Sequence, residues 1–343
     1  MKRRQFLSAG AAATAAACLP SRLFANSIEE YTNVAPTRSV VPVVGDGKWV
    51  WKDPPKDQTG YLEPRPYELK VGIELQGRGN ATAIKATTPA PVQLPEQEIV
   101  RATIDKVGCL ADFRRLTPEA GQLMLAAPAL GKGQTIGAVA TIRMTLHKEY
   151  HAHEKDKFPQ AQPRIPKDFA KAYLYDSPGI QTRADAVQDL AKKVGGQIDH
   201  PWDKAKAYYE WVWENIRKRE GPYTSVIAAI RDRIGDCEEH AAVFTALCRV
   251  SGIPARLVWV PNHNWAEFAL VDESGKRHWI PAHTSCYSWF GWTGAHEMVL
   301  QKGDSIELPE KRKPQRLMED WMQWSGTRPE AKWFAELRPL PPE

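Results

Sequence analysis

The 343-residue sequence has few cysteines: five in all, the first of which is Cys18, near the N-terminus. The other four are too few to build a chain of this size as a disulfide scaffold. Beyond the N-terminal segment, no stretch approaches the roughly 18–20 consecutive apolar residues that a membrane-spanning helix needs. The composition, 43% hydrophobic and 25% charged, is typical of a globular protein.

The sequence also has little excess charge. The formal net charge is +5, but four basic residues (Lys2, Arg3, Arg4 and Arg22) lie in the first 25 positions, so the remainder carries about +1. A nucleic-acid partner requires a basic surface, and none is indicated. The sequence contains no internal repeat, and we expect no cofactor.

Residues 1–25 are predicted to be an export signal. Paired arginines precede Phe6-Leu7, and an alanine-rich run follows them. This order resembles a twin-arginine signal, which predicts a periplasmic or otherwise extracytoplasmic protein. Cleavage after Ala17 or after Ala25 fits the pattern. A lipid anchor on Cys18 is an alternative outcome of processing.

The next two segments are predicted to be a lead-in or linker (26–60) and a small antiparallel β domain (61–155). Apolar and polar residues alternate strictly over residues 67–75, and again near 135–150, while Ile99–Val107 is a further candidate strand. This period of two is typical of half-buried strands. No strong helical pattern interrupts it, so we expect a β-sandwich.

After a connector rich in Pro and Lys, the pattern becomes helical, and residues 165–305 are predicted to form a second domain. Helices are expected near 182–195, from about Pro201, and from Cys237, where the apolar residues nearly surround the helix. Two strands follow, at 256–260 and 263–271, and a turn at Ser274-Gly275 leads into a third. Residues 306–343 are predicted to be a surface tail held by tryptophans. The fold class is therefore α+β.

Cys237 is the candidate nucleophile, in the segment "RIGDCEEHAAVF". A helix N-terminus lowers the pKa of a thiol because its free N–H groups and dipole favour negative charge. Gly235 is expected to leave room for an approaching substrate. Acidic residues in the first turn complement the helix end but oppose thiolate formation. The base that a nucleophile needs is predicted to be His263, at the start of a following strand.

Two groups of residues suggest a metal site instead of a nucleophile. Cys237, His240 and Cys248 share a helix face, but eleven residues at 1.5 Å per residue separate the two cysteines by about 16 Å, which is too far for one ion. Cys248 is most simply a core residue. The cluster of His147, His151, His153 and Glu154 is better explained as a solvated linker. We therefore predict no metal site.

Three elements together resemble the transglutaminase-like (papain-like cysteine) superfamily. They are the Gly-x-Cys at a helix start, "GIPAR" after that helix, and "HNWAEF" on the next strand, all within residues 235–268. The resemblance implies a papain-type core, with the cysteine at a helix N-terminus packed on an antiparallel sheet. It also implies Cys237 as nucleophile, His263 as general base and then acid, and main-chain N–H groups, including that of Cys237, as oxyanion donors.

The third member of the family's catalytic triad is an Asp after a Trp-x-Pro, and here His283 stands at that place. A neutral histidine orients the His263 ring but adds no negative charge. Asp272 and Glu267 lie about 30 Å and 13 Å from His263 along an extended strand, too far to hold its ring. A hairpin turn at Ser274-Gly275 places His263 opposite residues 283–286. His283 is therefore the predicted orienting residue, while a Cys–His dyad or a distant Asp stays open.

The predicted function is acyl transfer through a Cys237 thioester, with a peptide or protein amide as substrate and hydrolysis favoured over cross-linking. The alternative is a catalytically inactive binding module of the cell envelope, which the histidine at position 283 favours. A plain buried cysteine, or a disulfide between Cys237 and Cys286 after export, would also remove the nucleophile.

Overall fold

The computed structural model describes residues 51, 54–285 and 289–341. The predicted export signal, Cys18, most of the lead-in and Cys286 lie outside these residues. Within the described part of the chain, no helix is both long and apolar enough to cross a membrane.

The described residues form sixteen strands and five α-helices. The strands are β1 (Gly60–Gln76), β2 (Ala81–Ala90), β3 (Gln97–Val107), β4 (Leu110–Thr117), β5 (Ala120–Leu130), β6 (Thr135–Tyr150), β7 (Arg217–Lys218), β8 (Ile234–Gly235), β9 (Ala255–Val260), β10 (His263–Val271), β11 (Arg277–His283), β12 (Trp289–Phe290), β13 (Trp292–Thr293), β14 (Gln301–Lys302), β15 (Trp321–Gly326) and β16 (Glu330–Pro339). The helices are α1 (Lys167–Tyr173), α2 (Asp185–Gly195), α3 (Pro201–Asn215), α4 (Val226–Asp232) and α5 (Cys237–Val250). This mixture confirms the α+β class.

The N-terminal strands form two sheets that share one apolar core. The alternating residues of β1, from Tyr67 to Leu75, are at most 1% exposed and pack with side chains from β2, β5 and β6. Strand β1 pairs antiparallel with β6, which also pairs with β3, while β2 and β4 flank β5 in the other sheet. Strict alternation therefore predicts this region correctly, because one face of each strand is buried against the opposite sheet.

The C-terminal segment is part of this β structure, so the predicted surface tail is wrong. Strand β15 pairs with β2, and β16 pairs with β1 over ten residues, from Tyr67↔Pro339 to Gln76↔Glu330. Trp324, Trp333 and Leu337 pack against the apolar core. The physical reason is that β1 has an open edge, and an unpaired edge of main-chain N–H and C=O groups is satisfied by another strand.

A single nine-stranded sheet runs from the β region into the helical region. Its order is β12-β11-β10-β9-β14-β5-β2-β15, with β4 as the ninth strand beside β5, and β14 provides the junction. There Gln301 lies opposite Trp259 of β9 on one side and opposite Ala120 of β5 on the other. The division at residues 155–165 stays a prediction, but the two segments that it separates share this sheet.

Helix α5 is the central element of the helical region. It contacts α2, α3 and α4 on one side and β9 and β10 on the other, and its side chains from Cys237 to Arg249 are buried. The chain turns after α5 at Gly252, whose positive φ of 76° suits glycine. Because β9 then returns along the helix, β10 starts near the helix N-terminus, and His263 is its first residue.

The histidine-rich end of β6 is not the solvated linker that the sequence suggests. His151 is 7% exposed, and its Nδ1 and Nε2 lie 2.7 Å and 3.0 Å from carboxylate oxygens of Glu154 and Glu149. Burial lowers the pKa of His151, but the hydrogen bonds to Glu149 and Glu154 outweigh it and raise the pKa to about 9. The charged ring therefore ties the end of β6 to the following loop.

Candidate active site

Cys237 is the first residue of α5, and Asp236 caps this helix. The Asp236 carboxylate accepts hydrogen bonds from the main-chain N–H of Glu239 and, at 2.7 Å, from that of Cys237. In return, Glu239 Oε2 accepts from the N–H of Asp236 at 2.9 Å. This reciprocal capping box fixes the first turn. It holds Cys237, 7% exposed, where the helix dipole favours a thiolate.

The main-chain N–H of Cys237 is already engaged, which corrects the expectation that it is open to an oxyanion. It donates to Asp236 Oδ1, because the capping carboxylate lies directly before it. A substrate oxyanion bound there would have to displace this carboxylate oxygen.

The other acidic residues of the first turn each have a partner. Glu238 forms an ion pair with Arg316, whose guanidinium also lies 4.8 Å from the ring centre of Tyr223. Glu239 Oε1 accepts from the main-chain N–H of Thr224 at 2.6 Å. Because these contacts satisfy the carboxylates, their opposition to a thiolate at Cys237 is weaker than the sequence suggests.

Gly235 makes room for the helix rather than for a substrate. A Cβ at this position would lie 2.5 Å from Cβ of Glu239 and 3.4 Å from Ile216 Cγ2. The first of these atoms belongs to the capping residue and cannot move without moving the turn. The expectation that Gly235 clears a path for substrate is therefore replaced by a packing role.

Replacing Gly235 by alanine is expected to lower the free energy of unfolding by roughly 1–3 kcal/mol, since overpacking costs this much in a buried site. Displacing Glu239 should also disturb the cap and slow alkylation of Cys237. Urea unfolding and iodoacetamide labelling measure the two effects. Gly221→Ala is the matched control, because a Cβ there meets nothing within 4 Å. Equal stability of the two variants would contradict the packing role.

The β10–β11 hairpin brings His263 and His283 together. Ala266 pairs with Ala282, so the next pair outward is Trp265 and His283, with His263 diagonal to His283 on the same face. The Nε2 atoms of the two histidines lie 3.2 Å apart. Nε2 of His263 is therefore the ring nitrogen directed at His283.

Aromatic rings enclose His283 and exclude water from it. The ring of Trp265 stacks on His283 with centroids 5.4 Å apart, and Trp289 meets it edge-on at 5.2 Å. His283 itself has no exposed surface. Electrostatic interactions are stronger in such surroundings than in water, so a charge near His283 has a large effect.

Glu297 lies beside the histidine pair, although the sequence gives no sign of it. Its Oε1 is 3.7 Å from Nε2 of His283, and the side chain is buried. It follows His283 by fourteen residues, in an irregular segment between β13 and β14. Neither strand register nor a helical repeat relates these two positions, so sequence spacing could not have predicted the contact.

The motif residues Arg256 and Glu267 form a buried ion pair under the sheet. Arg256 Nε donates to Glu267 Oε2 at 2.8 Å, and Lys302 Nζ donates to Glu267 Oε1 at 2.6 Å. Burial raises the pKa of Glu267, but the two cations outweigh it and leave the pKa below its ordinary value. The sequence suggests Glu267 only as a partner for His263 and gives no sign of its cationic partners.

This ion pair extends into the β region. Lys302 also binds Glu96 at 2.6 Å, and Arg256 also binds Glu119 at 2.6 Å, while the Arg256 guanidinium lies 3.8 Å from the ring centre of Trp279. Glu96 and Glu119 belong to the segment predicted as a separate β domain. The network therefore holds β9 and β10, and with them His263, against the sandwich.

The two other metal-ligand candidates on α5 have structural surroundings. Cys248 carries a free thiol, is fully buried and belongs to the apolar core around α5. His240 Nδ1 and Nε2 each lie 2.7 Å from a main-chain carbonyl oxygen, of Asp236 and Ile216 respectively. Both ring nitrogens of His240 are thus engaged near the start of the helix.

A cavity of about 180 Å³ lies at the other end of α5. Gly252, Pro254, Val271 and Arg277 are among the residues that line it. Because α5 is fourteen residues long and rises 1.5 Å per residue, this cavity is roughly 20 Å from Cys237. It is separate from the Cys237–His263 region.

Residues 188–290 match the family model of the transglutaminase-like superfamily. The chain therefore contains a transglutaminase-like domain, which confirms the resemblance seen in the sequence. The match includes Cys237, His263 and His283 and ends at Phe290, before Glu297. No curated protein matches the chain.

One solved structure shows the same fold. A protein from Cytophaga hutchinsonii, provisionally named a cysteine protease, matches with a TM-score of 0.57 and 16% sequence identity, over 83% of this chain and 94% of that one. The periplasmic domain of TgpA from Pseudomonas aeruginosa matches with a TM-score of 0.33 and 15% identity, over 66% and 73% of the two chains. At these identities the first match shows the fold alone.

Proposed function

We propose that this protein is a cysteine acyl-transfer enzyme in which Cys237 is the nucleophile and His263 the general base. The observation that carries the proposal is the pairing of two elements. One is a cysteine at the capped N-terminus of a buried helix, and the other is a histidine at the start of the adjoining strand with Nε2 held by His283. A helix N-terminus favours a thiolate and an oriented histidine can accept its proton, which together are what nucleophilic catalysis needs.

In the proposed reaction the proton of Cys237 passes to Nδ1 of His263, and the resulting thiolate attacks an amide carbonyl. The resulting imidazolium then gives this proton to the departing amine, which leaves a thioester on Cys237. Water, deprotonated by His263, attacks the thioester and releases the acid. Each group returns to its starting state, as general acid–base catalysis requires.

The proposed substrate is a peptide or protein amide, and hydrolysis is favoured over cross-linking. The name of the Cytophaga hutchinsonii protein, a cysteine protease, is in line with this class of substrate. Export by the twin-arginine signal in residues 1–25 is part of the proposal, and an extracytoplasmic site supplies water more readily than a chosen amine. A lipid anchor on Cys18 belongs to the same proposal.

One observation favours a second function, that of an inactive binding module. His283 stands where the family has an acid, and a neutral histidine adds no charge to stabilise an imidazolium on His263. In this alternative the fold would hold a peptide of the cell envelope without cleaving it, and Cys237 would behave as an ordinary buried thiol.

Alkylation of Cys237 across pH distinguishes the two functions. The full chain is treated with iodoacetamide, and the modified cysteine is identified by mass spectrometry, with Cys237→Ser as the control for site assignment. An enzyme should be labelled rapidly well below pH 8, whereas an ordinary thiol has a pKa of about 8.5. An alkylation rate that rises with pH around a midpoint of about 8.5 would support the binding module. Labelling only after reductant would instead show a disulfide at Cys237.

A further inference from the structure

Glu297 is a buried carboxylate with an unusual environment. Its side chain is 4% exposed, and within the described residues neither carboxylate oxygen has a hydrogen-bond partner. Desolvating an unpaired carboxylate is costly, so a fold retains one only if something nearby compensates for it. Its ion-pair partner in the described residues is His283, whose Nε2 lies 3.7 Å from Oε1 of Glu297.

The tautomers of the histidine pair follow from the role of His263. To accept a proton from Cys237 at Nδ1, His263 must carry its own proton on Nε2. That N–H then points at Nε2 of His283, 3.2 Å away, which accepts it with its lone pair. His283 Nε2 thus lies 3.2 Å from Nε2 of His263 and 3.7 Å from Oε1 of Glu297.

We propose that Glu297 is a positioning residue that supplies, through His283, the negative charge which the family's aspartate would provide. When the proton of Cys237 moves to His263, the new positive charge on the imidazole pair faces the carboxylate. The proton that moves is that of the thiol, and Glu297 neither gains nor loses one. This inference rests on the proposed function, because it needs Cys237 and His263 to exchange a proton.

The other titratable residues considered for this role are either uncharged or paired with a different residue. The neighbouring His296 donates from Nε2 to the carbonyl of Glu63 at 2.6 Å, and burial lowers the pKa of His296 to about 4, so it is uncharged at neutral pH. Lys148 is paired with the Glu63 carboxylate. On α5, Glu238 is paired with Arg316, and the capping box engages Asp236 and Glu239. In the described residues, His283 is the one ion-pair partner recorded for Glu297.

The rings around His283 make this charge effective. Trp265 stacks on one face of His283, and Trp289 contacts it edge-on. Because Glu297, His263 and His283 are all buried, the interaction is screened less than at the protein surface. An opposite charge within about 4–6 Å shifts the pKa of a group by roughly 1–3 units. Because Glu297 acts on His263 through the intervening His283 ring, we expect a shift of about one unit.

The first test compares Glu297→Gln with Glu297→Asp by the pH dependence of Cys237 alkylation. The glutamine keeps the shape and removes the charge, so the midpoint should rise by about one pH unit, and the rate at pH values well below the wild-type midpoint should fall about tenfold. The aspartate keeps the charge and should retain the rate within about threefold. Near-ultraviolet circular dichroism shows whether each variant keeps the native fold. A Glu297→Gln profile that superimposes on the wild type would overturn the inference.

The second test uses a background in which Glu297→Gln should no longer slow alkylation of Cys237. In a His283→Asp background the carboxylate of residue 283 meets the His263 ring itself and lies beside Glu297, where like charges oppose each other. Adding Glu297→Gln should then leave alkylation unchanged or make it faster, whereas in the wild-type background it makes alkylation slower. The same slowing in both backgrounds would show that Glu297 acts through packing alone.

These outcomes separate this inference from the proposed function. If wild-type Cys237 shows the ordinary thiol profile, the proposed function fails and this inference fails with it. If wild-type Cys237 is reactive at low pH and Glu297→Gln is unchanged, the enzyme stands and the role of Glu297 fails.

Discussion

Replacing His263 by alanine is expected to slow alkylation of Cys237 at about pH 6.5 by roughly 100-fold. The reason is that an imidazolium beside the sulfur keeps it as a thiolate, whereas an ordinary thiol of pKa about 8.5 is ionised to only about one part in a hundred at this pH. The rate should recover toward the wild-type value above about pH 9, where any thiol ionises. Stopped-flow or quenched labelling over this pH range measures both the slow rate near pH 6.5 and its recovery above about pH 9.

The matched control is His278→Ala, on the same hairpin. His278 Nε2 binds Asp272 at 2.7 Å near the turn, at the end of β11 far from His283. Its loss should leave the alkylation rate within about twofold, since the ring does not approach the site. If His263→Ala were alkylated like the wild type at low pH, His263 would not be the base.

Replacing Glu267 by alanine is expected to lower the free energy of unfolding by about 3–5 kcal/mol, the range measured when one partner of a buried ion pair is removed. The variant leaves Arg256 and Lys302 buried, each with one carboxylate fewer. At neutral pH the contribution of the Glu267 carboxylate to the free energy of unfolding is fully present, because the pKa of Glu267 lies below its ordinary value. It should be lost only as the pH falls through that lowered pKa. Urea unfolding at several pH values measures it.

Glu210→Ala is the control for this prediction. Glu210 and Lys206 form an exposed pair on α3, with nitrogen and oxygen 3.7 Å apart, and such helix pairs contribute about 0.3–0.5 kcal/mol. If Glu267→Ala cost no more than Glu210→Ala, the buried network would not stabilise the junction between β9, β10 and the sandwich.

The site was predictable where it depends on local pattern. Apolar residues all around the helix identify α5 as central, Gly252 and Pro254 end it, and the turn at Ser274-Gly275 sets the register of the next hairpin. That register is enough to predict that His283 comes within reach of His263, because strand pairing fixes which residues are opposite each other. The catalytic roles of these residues stay predictions.

The C-terminal strands were missed although their pattern is present. Ala331, Trp333, Ala335 and Leu337 alternate with polar residues, as a half-buried strand does. The abundance of Pro, Lys and Glu around them was given more weight than this period of two. What decides the structure is the open edge of β1, which lies more than 250 residues earlier in the chain.

Glu297 and the role of Gly235 depend on contacts that spacing does not encode. Glu297 lies in irregular chain, so no repeat relates it to His283. The close approach of Gly235 to Glu239 depends on how the chain enters α5. The Cys237 N–H was expected to be open because a helix start leaves its first N–H groups unsatisfied. The structure satisfies this one with Asp236, the residue that sets the cap.

The most direct test of the account is the mutual effect of Cys237 and His263 on each other's charge. Nitrogen-edited NMR of the histidine side chains, followed across pH in the wild type and in Cys237→Ser, measures it. A thiolate–imidazolium pair predicts that His263 stays charged through neutral pH in the wild type. In Cys237→Ser it should then titrate near the ordinary value of about 6.5 or below. If His263 titrates at the same pH in both proteins, Cys237 and His263 do not form the pair on which the proposed chemistry depends.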